Sequence, residues 1–207
     1  MKKVILLLLV SLVTMFTSYA QWGNMGYGGG SSIVQKSGDC KKVKTEKTIK
    51  VEYDYSKMKV GDFNTEAEYV DKKVKEYEKK EKGKGDKWKE GWDGNKKERF
   101  QPKFEELFNK ASDGITISDK ANNTKYTLIV KTVFLEPGYN IGISKKPAFV
   151  NFEFSFVETA NPANVVAELY VNNVVGAQAM GFDFDSGSRI AEAYAKAGKM
   201  LGKFLAK

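Results

Sequence analysis

Two clusters in this chain hold residue types that could do chemistry. The first is Gly181-Phe182-Asp183-Phe184-Asp185-Ser186-Gly187-Ser188. In an extended segment Asp183 and Asp185 share one face, and paired carboxylates can bind Ca²⁺ or act as acid and base on a glycan. An EF-hand does not fit, because its next ligand positions fall on Gly187 and Tyr194. The plainer reading is a tight loop in which Asp185, Ser186 or Ser188 caps a following helix. The second cluster is Trp88 and Trp92 with Lys87 and Lys89. Exposed tryptophans beside cations can stack on sugars or anchor a partner; equally, they can fold back and close their segment over the core.

Other chemistries are excluded by composition. The 207 residues include no histidine and a single cysteine, Cys40. Nucleophilic sets built on histidine are therefore impossible, as are zinc sites built on histidine or several cysteines. Cys40 can form no intrachain disulfide, so packing must hold the fold. Its two readings are a small, part-buried residue at a strand start and a reactive thiol. The formal charge is +8. Residues 71–99 carry eleven lysines and Arg99 against eight acids. Such a block is a solvated face or a surface that attracts anions.

The N-terminus reads as an export signal: Lys2 and Lys3, an apolar run from Val4 to Val13, and an exit at Ser18-Tyr19-Ala20. This predicts cleavage before Gln21 and a periplasmic or secreted protein with no membrane span after cleavage. Residues 21–39 are rich in glycine and serine and read as a flexible lead. No lipid anchor is expected, because Cys40 follows Ser37-Gly38-Asp39. Residues 40–207 then form one domain, with a charged insert near 78–99.

Alternation of apolar and polar residues predicts strands over 43–55 and 148–158; residues 124–135, apolar on both sides, predict a central strand, and the apolar run around Glu168 predicts another over 164–172. Thr65 and Glu68 have capping-box spacing ahead of the helical stripe Ala67, Val70, Val74 and Tyr77. Pro102 opens a second helix to Ala111, and a third runs from Arg189 to Leu205. On the last helix Ala191, Ala195, Gly198 and Gly202 form a strip of minimal side chains, which predicts close approach of the sheet or of the first helix. The fold expected is α+β: a single, mostly antiparallel sheet of four to five strands with about three helices packed on one face.

The stretch from Gly181 through Arg189-Ile190-Ala191-Glu192-Ala193-Tyr194-Ala195-Lys196-Ala197-Gly198-Lys199 resembles uncharacterised exported proteins of Bacteroides-type bacteria. More loosely, the element order over residues 45–205 resembles periplasmic domains such as the amino-terminal domain of TolB and the curli-secretion lipoprotein. The resemblance implies a non-catalytic envelope component.

These readings lead to a non-enzymatic, exported envelope protein that binds a protein or an anionic polymer. The binding candidates are Trp88, Trp92, Lys87, Lys89, Asp183 and Asp185, with no cofactor, no resident metal and no nucleic-acid partner. The alternatives are a glycan hydrolase using Asp183, Asp185 or Glu192, and a Ca²⁺-dependent binding module at the same acids.

Overall fold

A computed structural model of the chain describes residues 31–140, 143–176 and 186–207. Alternating or continuously apolar sequence yields the strands that form its centre: β2 (Thr48–Asp54), β5 (Tyr126–Glu136), β8 (Phe149–Glu158) and β9 (Asn161–Val175). Short strands complete the sheet: β1 (Val34–Gly38), β3 (Lys59–Val60) and β4 (Thr116–Ser118). A separate ribbon pairs β6 (Tyr139–Asn140) with β7 (Lys145–Lys146). The helices are α1 (Glu66–Glu78), α2 (Lys84–Asn95), α3 (Gln101–Ala111) and α4 (Ser186–Leu205). A π turn over Lys96–Phe100 joins α2 to α3, so three helical bodies stand among the described residues.

The sheet corrects the expected fold. It has seven strands in the order β1-β9-β8-β5-β2-β4, with β3 paired to β5. β1, β9, β8 and β5 are antiparallel neighbours, whereas β2 and β3 run parallel to β5, and β4 runs parallel to β2. The reason is the connection. α1, α2 and α3 lie between β3 and β4, and a helical crossover of that length returns the chain in the same direction. Alternation records which face is buried and says nothing of direction.

Two boundaries also move. Val43–Thr45 is a single 3₁₀ turn, so the first central strand begins only at Thr48. Val34–Gly38, within the stretch expected as flexible lead, pairs with β9 from Val34↔Tyr170 to Gly38↔Ala167. Gly38 permits this contact: its φ is +71°, and a Cβ there would stand 2.0 Å from the Val166 carbonyl oxygen. Residues 1–30, which carry the export-signal reading, lie outside the described residues.

One face of the sheet is apolar and covered. Ile49, Val51, Leu128, Val130, Phe152, Phe154, Phe156, Leu169 and Val171 are all buried. From α3, Phe104 packs on Phe154 with ring centroids 5.9 Å apart. From α4, Tyr194 meets Phe152 edge-on at 4.8 Å and stacks on Phe100 at 5.0 Å. The opposite face carries polar pairs such as Lys131–Glu153 at 3.0 Å.

The small-residue strip of α4 receives α3, not the sheet or the first helix. A Cβ at Gly198 would lie 2.2 Å from the Phe104 carbonyl oxygen, and one at Gly202 would lie 2.7 Å from that of Phe108. Position 104 thus faces 198 and 108 faces 202, so the two helices run parallel. Their dipoles are then unfavourably aligned, an effect offset by Lys110 and Lys203 in the last turns.

Gly198→Ala should destabilise the fold by about 2–3 kcal/mol, because a backbone atom must move to admit the methyl group. Gly91→Ala, on α2 with open space around it, should instead stabilise by up to about 1 kcal/mol. Urea unfolding of the two variants measures both.

Candidate functional site

The tryptophans lie on α2, inside the segment expected as a charged insert. Its N-terminus is held by α1: the Glu78 carboxylate accepts N–H bonds from Gly83 (2.8 Å) and Gly85 (3.2 Å). That places an anion where orphan amides need one. α1 begins with the expected cap, Thr65 Oγ1 accepting the Glu68 N–H at 3.2 Å, while Glu68 reaches back to the Asn64 N–H at 3.1 Å.

Trp88 stacks on both Tyr77 (5.7 Å) and Trp92 (5.5 Å). Trp92 is 4 % exposed, packs on Tyr69 at 5.0 Å, and donates its indole N–H to Glu66 at 2.7 Å. Lys96 donates to the same carboxylate at 2.8 Å and sits 5.1 Å over the Tyr55 ring. The pair therefore closes α2 onto α1. Lys87 and Lys89 point the other way, into solvent, and Lys89 pairs with Asp93 at 2.6 Å. Tryptophans and lysines do not converge on one surface. Asp183 and Asp185 lie outside the described residues. Among the described residues, no group of three or more His, Cys, Asp or Glu is placed to hold a metal ion.

A second polar cluster, not foreseen from sequence, lies under α3. Tyr53 donates to Glu105 at 3.1 Å and to the Gln101 carbonyl at 3.2 Å. Gln101 Nε2 reaches the Tyr55 hydroxyl at 3.5 Å, and Tyr194 pairs with Thr132 at 2.6 Å. Burial pushes the Tyr53 and Tyr194 hydroxyls far above the ordinary tyrosine range and Tyr55 up to about 12. All three stay neutral at physiological pH and act as fixed hydrogen-bonding groups. The Glu105 carboxyl is also pushed up, by burial first; the Tyr53 hydrogen bond opposes this and Asp119 adds to it. Cys40 is buried and its thiol raised to about 11, which fits the small packed residue and not the reactive thiol.

The described residues open to solvent along the seam of α3 and α4. One shallow depression there, of about 220 Å³, is lined by Lys103, Leu107, Glu192, Ala195, Lys196 and Lys199. A neighbouring one of about 230 Å³ holds Glu98, Arg99 and Ser188. Both are smaller than the roughly 300–1,000 Å³ of sites that enclose small molecules, because the glycine strip brings the helices so close. Lysines dominate the outer faces. Lys103 and Lys110 share Glu106 at 3.1 and 2.6 Å. Lys196 holds the Val175 carbonyl at 2.7 Å. Lys199 and Lys203 have no ion-pair partner among the described residues.

No family model matches the chain. No curated protein matches it either. Among solved structures it is similar to the PelC dodecamer from Paraburkholderia phytofirmans, at 14 % identity and a TM-score of 0.38, over 86 % of this chain and 99 % of that one. A substituted PelC dodecamer from the same organism gives 14 % identity and a TM-score of 0.35, over 80 % and 95 %. Likeness at that level fixes neither a shared fold nor a shared role. No helix among the described residues is long and apolar enough to cross a membrane.

Trp92→Phe keeps an aromatic ring, though a smaller one, and removes the bond to Glu66; it should cost about 2 kcal/mol in urea unfolding. Glu105 gives a prediction of opposite pH sense to an ordinary ion-paired acid. Its folded-state pKa is raised, so its contribution to stability is full below the ordinary carboxyl range and is lost as pH rises through the raised value. The stability of the wild type relative to Glu105→Gln should therefore fall between acidic and neutral pH, as measured by urea unfolding at each.

Proposed function

We propose that this chain is an exported, non-enzymatic protein of the cell envelope that binds an anionic polymer along the α3–α4 seam. The observation that carries this reading is the lysine row there: Lys103, Lys110, Lys196, Lys199 and Lys203 against Glu106 and Glu192. Glu106 answers only Lys103 and Lys110, which leaves the α4 lysines as net positive charge on a rigid surface. A flexible polyanion needs no enclosing pocket and no close shape match. It needs cations at fixed spacing, and a helix supplies these at Lys196, Lys199 and Lys203.

Of the carboxylates named for catalysis from sequence, Asp183 and Asp185 lie outside the described residues and Glu192 lines the shallow seam; two other acids in the fold serve as hydrogen-bond acceptors. Glu66 is bonded by Trp92 and Lys96, and Glu105 by Tyr53. Trp88 and Trp92, which from sequence were candidates for sugar stacking, spend their rings on Tyr77, Tyr69 and each other. The export signal read over residues 1–20 supports the compartment, where acidic polysaccharides are the abundant polyanions.

Fluorescently labelled polygalacturonate tests the proposal. Anisotropy should show binding that weakens as salt rises, and Lys199→Glu combined with Lys203→Glu should lower affinity about tenfold or more. The melting temperature should stay near wild type, since both side chains are exposed. Unchanged affinity in the double variant, or equal affinity for uncharged dextran, would overturn the reading.

A further inference from the structure

The face of the sheet turned away from the helices is not polar throughout. Along β8, Val150, Phe152, Phe154 and Phe156 are fully buried on the helix side, so Phe149, Asn151 and Glu153 point to the other side. In that half of the sheet the outer face turns apolar. Phe149 stacks on Phe134 of β5 with ring centroids 5.5 Å apart, and both rings are half-buried. Val175, opposite Phe149, is 38 % exposed. Tyr170 stands opposite Glu153, and Val34, 39 % exposed, stands opposite Tyr170. Cross-strand partners share a face, so five apolar side chains from four strands look outward here. Asn151, among them, is already satisfied: its side-chain oxygen accepts the Asn173 N–H at 2.7 Å. The bordering turn after β5 is held in place. Arg189, buried in the first turn of α4, donates to the carbonyls of Pro137 and Gly138 at 3.4 Å.

The described residues begin at this corner. Ser31 donates its hydroxyl to the Asn173 carbonyl at 2.7 Å, two residues from Val175, and Ile33 packs on the core. The ten residues before Ser31 read Gln21-Trp22-Gly23-Asn24-Met25-Gly26-Tyr27-Gly28-Gly29-Gly30. None is charged, in a chain where 29 % of residues are. Such a segment can lie on an apolar surface without stripping water from an ion. Its reach is sufficient. Strands lie about 4.8 Å apart, so β8 and β5 are roughly 5 and 10 Å in from β9. An extended chain covers about 3.4 Å per residue. Tyr27, four residues before Ser31, therefore reaches about 13 Å, and Trp22 reaches the far side of the patch.

We propose that residues 21–30 fold back over this outer face, with Tyr27 against Val175 and Phe149 and Trp22 against Phe134. Tethering decides for the chain's own segment. Ser31 is bonded beside the patch, so the segment meets it at a far higher local concentration than a second copy could. Its glycines, with no side chains, let the backbone lie close to the rings. The contact is on the side of the sheet away from the α3–α4 seam and does not depend on it.

The test compares a chain beginning at Gln21 with one beginning at Ser31, both of which keep every described element. In the longer chain, dilute and isotope-labelled, nuclear Overhauser contacts should join the Tyr27 ring to the Val175 methyl groups. Tyr27→Ala identifies those signals by removing them. Val175→Asp, at a part-exposed position, should abolish the remaining contacts of Trp22 with Phe134 while the domain stays folded. The shorter chain should bind the apolar-surface dye anilinonaphthalene sulfonate several-fold more strongly than the longer one. The Lys199→Glu, Lys203→Glu variant should keep every contact. The proposal is overturned if the longer chain shows no contact between residues 21–30 and the patch, if Val175→Asp leaves the contacts intact, or if the two chains bind the dye equally. Contacts seen only between labelled and unlabelled chains would also overturn it and assign the face to a second copy.

Discussion

The contact on which the rest of this structure depends is that of two parallel helices separated by almost no side chain. Gly198 and Gly202 lie directly against the carbonyls of Phe104 and Phe108. That distance drops the rings of α3 onto the sheet, holds Tyr194 between Phe100 and Phe152, and leaves the outer seam shallow. Two glycines inside a helix weaken it in isolation by roughly 1 kcal/mol each; here they gain a close-packed core. With one cysteine and no disulfide among the described residues, packing of this kind is what holds the domain together.

The π turn between α2 and α3 follows from the same requirement. Trp88, Trp92, Lys96, Phe100, Phe104 and Phe108 recur every fourth residue. In an α-helix each such step drifts by about 40° around the axis, so the stripe would leave its neighbours within a few turns. The wider turn, with the Gln101 N–H bonded to the Lys96 carbonyl, takes out part of that drift. Trp92 can then face Glu66 while Phe104 faces the sheet. The cost of the irregular turn is offset by two buried aromatic groups on one continuous helix.

How much of this was legible in the sequence depends on what each pattern records. The long strand β8 was visible as alternation, because a half-buried strand must alternate, and β5 and β9 as apolar runs, because a strand inside the sheet can be covered on both faces. β3 and β4, at two and three residues, are too short to show any period. The parallel direction of β2 depends on a crossover that alternation does not encode. The small strip on α4 was readable as a close approach, but its partner was set by the whole helical layer. The fixed four-residue spacing from Trp88 to Phe108 was the available sign of the π turn, and of a tryptophan pair turned inward. The Tyr53–Glu105 pair left no such trace, since a strand and a helix some fifty residues apart meet only in the fold.

α4 also has a metric role. Its Arg189 grips the turn after β5 and its Lys203 ends the lysine row, fourteen positions later on one straight element. At about 1.5 Å per residue those points stand roughly 20 Å apart. Physiological salt screens charge over about 8 Å, so the two ends of the helix lie beyond one another's electrostatic reach. The helix works as a ruler: whatever meets that end of the sheet and whatever meets the lysines are held at a set spacing and respond to salt independently.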